Sequence, residues 1–81
     1  MTIGIWEVEF PKYWFEYDSE IQSIIEQRYQ NGEQSASFQQ CRSRKKNIWD
    51  DYIITFRSMT QRNVRSGRLR KVQRIETKVV A

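Results

Sequence analysis

Tyr52, Gln61 and Arg70 are the residues of this chain best equipped to act on a ligand, and they follow one another at intervals of nine. A tyrosine ring offers a π face on which a base can stack, worth about 1–3 kcal/mol. A glutamine amide both donates to and accepts from the hydrogen-bonding edge of such a base, which neither a carboxylate nor a lysine does. An arginine fork suits phosphate oxygens, through charge-assisted bonds of about 1.5–3 kcal/mol. The trio is a set of tools for an aromatic ring with a hydrogen-bonding edge, joined to phosphates. With a preformed pocket such contacts support roughly micromolar binding. Catalysis would need other residues. The chain has no histidine, which removes the common acid–base shuttle and the common metal sites. No glycine-rich phosphate loop or nucleophile motif is present, and Cys41, beside Arg42 and Arg44, reads as an incidental thiol. No cofactor is expected.

Strands must bring these residues together. Tyr52, Ile54 and Phe56 share one face of an alternating segment, and Tyr52 and Arg70 are expected to point as Ile54 and Val72 do, nearer the rim. Thr60 to Val64 is a short extended piece, Ser66-Gly67 a turn, and Leu69 to Ile75 the closing strand. Gln61 is expected at the end of a turn, outside the core. Upstream, Ile3, Ile5, Val8 and Phe10 form an opening strand that stops at Pro11. The aromatic run from Tyr13 to Tyr17 pairs back on it. Asp18 or Ser19 caps a helix whose apolar stripe is Ile21, Ile24, Ile25 and Tyr29, ending at Asn31-Gly32. Ala36 and Phe38 make a weak third strand, and residues 41–51 a polar loop bearing Arg42, Arg44, Lys45 and Lys46. This order predicts an α+β domain, one helix packed on a curved antiparallel sheet. Trp6 and Trp14 are expected in the core, Glu26 is expected to pair with a strand arginine or to cap a backbone group, and Arg68 and Arg74 are expected on a solvated face.

Eighty-one residues allow a single domain, here with a core over about residues 4–75 and a tail at 76–81. Charge is divided unevenly. Residues 1–33 carry seven acids against two bases, whereas residues 34–81 carry twelve bases against three acids. A basic second half suits an anionic partner, a phosphate-bearing ligand or a nucleic acid; the plainer alternative is a solvated strand face. The mean hydropathy of −0.82 and the lack of a long apolar run argue against a membrane span. No signal-peptide pattern precedes the first strand. A lone cysteine fits a reducing compartment, so an intracellular monomer, nuclear or cytoplasmic, is expected.

Trp6, the run Trp14-Phe15-Glu16-Tyr17-Asp18, Glu26, and the pattern Tyr52-x-Ile-x-Phe-x-x-Met-x-Gln61 occur in that order. Ser66-Gly67 and Arg70-Lys71-Val72-Gln73-Arg74 follow. In these residues the chain resembles a WWE domain, over about residues 4–75. The resemblance implies a half-barrel of antiparallel strands holding one helix, and a non-enzymatic binding module. Similar domains occur in ubiquitin ligases and poly(ADP-ribose) polymerases, whose catalytic domains are thus implied companions in a parent chain. Many bind ADP-ribose units of poly(ADP-ribose) in the barrel mouth. By this resemblance Tyr52 meets the adenine–ribose part, Gln61 the adenine edge and Arg70 a phosphate. Relatives that grip the polymer linkage strongly carry an aromatic residue and a Trp where this chain has Val8 and Phe15, which join the candidate ligand-binding set. The ligand is either an internal unit of poly(ADP-ribose) or a terminal ADP-ribose. An RNA- or DNA-binding domain, and a protein-interaction domain with a vestigial pocket, are the alternative readings.

Overall fold

The structure, a computed structural model, describes residues 2–78. Six strands and one helix follow in the order β1 (Thr2–Phe10), β2 (Tyr13–Glu16), α1 (Ser19–Gln30), β3 (Ser35–Ser43), β4 (Ile48–Thr55), β5 (Thr60–Asn63) and β6 (Leu69–Lys78). They form one antiparallel sheet in the order β2-β1-β6-β5-β4-β3, curved into a half-barrel, so the fold is α+β. Pro11 and Lys12 alone link β1 to β2, with Phe10 opposite Tyr13, because proline cannot extend the ladder.

Strand β6 divides its pairing. Leu69 to Lys71 pair with β5, and Val72 to Lys78 pair with β1. This change of partner falls between Arg70, which pairs with β5, and Val72, which pairs with β1.

The concave side closes over α1. Ile21 and Ile25 of the helix pack with Trp6, Val8, Tyr17, Ala36, Phe38, Ile54 and Val72. Burial of each large side chain stabilises the fold by about 1.5–3 kcal/mol. Gln22 clamps helix to sheet: its Oε1 accepts from the Trp6 backbone N–H at 2.7 Å, and its Nε2 donates to the Trp6 carbonyl at 2.7 Å. Glu26 accepts from Trp6 Nε1 at 2.9 Å and from Arg74 Nε and Nη2 at 2.9 and 2.6 Å. Of the two roles expected for Glu26, the strand arginine is the one it takes. The pair holds the Glu26 carboxyl down at about 2, chiefly through the Arg74 hydrogen bonds, against the opposing effect of burial.

Several expectations are corrected. The helix stripe is narrower than four residues, since Ile24 lies at the surface and Tyr29 covers Trp6 edge-on from outside, centroids 5.3 Å apart. Asp18 caps the helix through its carbonyl, which accepts from Gln22 N–H at 2.9 Å, with no side-chain bond. Trp14 is 37% exposed, because β2 is an edge strand with nothing packed beyond it. Arg74 is not on a solvated face; its side chain is 8% exposed, spanning Glu26 and Glu76. Gly4 makes room for it, since a Cβ there would meet the Arg74 guanidinium. Residues 41–51 are not a loop: β3 and β4 run far past the core and are joined by the turn 44–47, where Asn47 takes φ 53°. The strand β6 continues through Glu76, Thr77 and Lys78, paired with β1, where a tail was expected. Residues 79–81 of that tail lie outside the described residues. No helix among the described residues is long and apolar enough to cross a membrane.

Candidate functional site

Register brings the site together. Gln61 on β5 pairs with both Arg70 on β6 and Ile54 on β4, while Val8 on β1 pairs with both Val72 on β6 and Phe15 on β2. Alternation puts Tyr52 on the same face of β4 as Ile54. A cavity of about 300 Å³ opens against this face, at the small end of ordinary ligand sites. Val8, Phe15, Tyr52, Gln61 and Arg70 all line it. The five residues expected at the site therefore line one cavity, and the structure adds Phe10, Arg42, Asp50, Asn63, Arg65 and Arg68 to its lining.

Gln61 departs most from expectation. It is 6% exposed and belongs to the interior of β5, not to a turn end. The buried Tyr17 hydroxyl donates to its Oε1 at 2.6 Å. Burial, reinforced by nearby Tyr52, raises the Tyr17 pKa well above the ordinary tyrosine value, so the hydroxyl remains a proton donor. With its oxygen engaged, Gln61 has Nε2 left for the cavity. A free amide could donate and accept alike; this one is set as a donor.

The other side chains are placed by their neighbours. Tyr52 stacks on Phe38, centroids 5.7 Å apart and planes at 20°. Arg70 lies over the Phe10 ring at 4.2 Å and donates from Nη1 to the Glu9 carbonyl at 3.3 Å, which fixes its guanidinium over an aromatic face. Phe15 meets Phe10 edge-on at 6.1 Å. Val8, 4% exposed, forms the floor. The β5–β6 loop is shaped by Asn63, whose Oδ1 accepts from the backbone N–H groups of Arg65 and Ser66 at 2.9 and 3.0 Å.

Arg42 belongs to the strand β3 and lines the cavity rather than standing on a solvated loop. It and Arg65 flank buried Asp50 at 3.7 and 3.3 Å. Four guanidinium groups, on Arg42, Arg65, Arg68 and Arg70, thus face one carboxylate in the lining, an electropositive wall suited to phosphates. Among the described residues no group of three His, Cys, Asp or Glu side chains could hold a metal ion.

The WWE domain profile matches residues 5–74 of the chain. The chain therefore belongs to the WWE family, whose members are protein-interaction and ADP-ribose-binding modules rather than catalytic domains. No curated protein matches the chain.

Proposed function

We propose that this domain reads ADP-ribose units without chemical change, holding the adenine against Tyr52 and Gln61 and a phosphate against Arg70. The observation that carries the reading is the Tyr17–Gln61 hydrogen bond, which leaves an amide donor in a cavity that also presents an aromatic face and guanidinium groups. One face of Tyr52 rests on Phe38; the other is available to a base. The Gln61 N–H₂ suits a ring nitrogen of adenine, an acceptor. Stacking at about 1–3 kcal/mol and a charge-assisted bond at about 1.5–3 kcal/mol outweigh the ordering costs of binding to a site already braced by Phe10, Phe38 and Tyr17. In a longer chain such a reader would bring a ubiquitin-ligase or poly(ADP-ribose) polymerase domain to modified targets in the nucleus or cytoplasm.

Competition calorimetry tests the proposal. ADP-ribose is expected to bind at micromolar concentration, and Arg70→Gln to weaken it about tenfold or more at both low and moderate salt. A protein that ignores ADP-ribose but binds single-stranded RNA would replace this reading with the nucleic-acid one. Silence toward every nucleotide would leave a protein-interaction domain.

A further inference from the structure

Strand β2 ends the sheet, and all of its residues from Tyr13 to Glu16 are exposed. An open edge offers backbone N–H and C=O groups to any passing strand, and proteins blunt such edges with charge or cover them. This edge instead carries three aromatic residues in succession. On its inner side Tyr13 stacks on Phe10, centroids 5.5 Å apart and planes at 12°, and Phe15 meets both rings edge-on at 6.1 and 6.5 Å. The result is a braced aromatic ledge, about half open to solvent. Alternation in an antiparallel ladder directs the N–H and C=O of every second β2 residue away from β1. Among the described residues those groups meet no backbone partner.

The outer side of the same edge is acidic. Glu16 stands directly opposite Glu7, and Trp14 opposite Glu9; the period of two puts these four side chains on one face. Like charges directly opposite each other destabilise a sheet. None of the three carboxylates lies within ion-pair distance of a cation among the described residues. Glu7 takes only an amide hydrogen bond, from Gln73 Nε2 at 2.7 Å. The chain as a whole carries a net charge of +4, so this local surplus of negative charge runs against its composition. An uncompensated charge arrangement beside an unpaired edge marks a place completed by another molecule. What is missing there is a strand backbone and cations.

We propose that β2 is a docking edge for an extended basic segment of another protein, which adds to the six-stranded sheet as a further strand. Alternation sets the pattern of that segment. Residues facing Tyr13 and Phe15 are apolar. Those facing Trp14 and Glu16 are Arg or Lys, one over the indole ring and the other between Glu16 and Glu7. Main-chain hydrogen bonds supply affinity, and the alternate side chains supply selectivity.

Amide shift mapping with a short amidated peptide of alternating valine and arginine tests the proposal. The titration is run without nucleotide, because Phe15 also lines the cavity. Saturable shifts are expected at Tyr13 to Glu16 and at Glu7 and Glu9. A fully N-methylated version of the peptide keeps its charge but loses its main-chain donors, and is expected to bind about tenfold or more weakly. The variant Glu7→Gln/Glu16→Gln is expected to bind the parent peptide about three- to tenfold more weakly. It should melt at or above the wild-type temperature, because the opposed like charges are gone; weaker binding by a more stable protein is not a folding defect. Should the variant fail to melt cooperatively, the two peptides on the wild type still decide. A parent peptide that leaves Tyr13 to Glu16 unmoved would overturn the proposal, as would equal binding of the N-methylated version or undiminished binding by the variant. Shifts at Tyr13 to Glu16 that grow with protein concentration alone would overturn it too, since the occupant would then be a second copy of the chain.

Discussion

Removing the Tyr17 hydroxyl tests whether the site is positioned from beneath. Tyr17→Phe deletes the donor 2.6 Å from Gln61 Oε1 and leaves the ring in its place among the core residues, edge-on to Phe38 at 5.5 Å. Gln61 is then left with a carbonyl oxygen facing a hydrocarbon, in a residue only 6% exposed. Stranding such a group costs about 1–3 kcal/mol, which in a domain of this size lowers Tm by about 4–8 °C for each kcal/mol. The amide can escape part of the cost by turning its oxygen to the cavity. The turned amide presents an acceptor where a base needs a donor. If the two orientations become comparable, the competent fraction falls and affinity falls with it, by about two- to tenfold. Discrimination between adenine and guanine should shrink at the same time, because a carbonyl can accept from the guanine N1–H. Thermal melts combined with calorimetry on ADP-ribose and GDP-ribose measure all three quantities. A Tyr17→Phe protein with wild-type Tm, affinity and adenine preference would refute the argument that Tyr17 sets Gln61.

Glu26→Gln should cost about 2–3 kcal/mol at neutral pH, read by urea unfolding, because it strands Arg74 with Glu76 alone. The Glu26 carboxyl is held at about 2 in the fold, below its ordinary 4.5. Its share of stability, about 1–2 kcal/mol after solvent screening, is therefore complete above pH 4.5 and fades as pH falls toward 2. The variant should accordingly show a shallower acid limb. Gly4→Ala should destabilise by about 1–3 kcal/mol in the same assay, since its methyl would collide with a guanidinium pinned by Glu26. Neutralising Arg44, Lys45 and Lys46 in the β3–β4 turn should leave ADP-ribose affinity unchanged and weaken only long polymer at low salt, as charges beyond about 8–10 Å are screened.

The helix and the first hairpin were legible in the sequence because their apolar periods are short-range and a turn signal bounds each of them, Gly32 at φ 75° and Pro11 at the hairpin. Tyr52, Gln61 and Arg70 were legible because a common spacing along neighbouring antiparallel strands carries them to one wall. The β3–β4 extension was hidden for a physical reason: beyond the core Gln40, Arg42 and Asp50 line the cavity, so the face that turns inward reads as polar. Asp50 looks like a loop residue until two arginines, one of them fifteen positions away, are brought beside it. The burial of Gln61 depends on a tyrosine 44 positions distant, and that of Arg74 on a glutamate 48 positions distant. No local pattern encodes such pairs.

Backbone and side-chain chemical shifts followed during titration with ADP-ribose test the central claim most directly. The account predicts saturable shifts at Tyr52, at the Gln61 side-chain N–H₂ and at Arg70 Nε–H, with Phe10 and Phe15 moving beside them. The turn 44–47 should remain still. Titration to millimolar ADP-ribose that left Tyr52, Gln61 and Arg70 unmoved would contradict it.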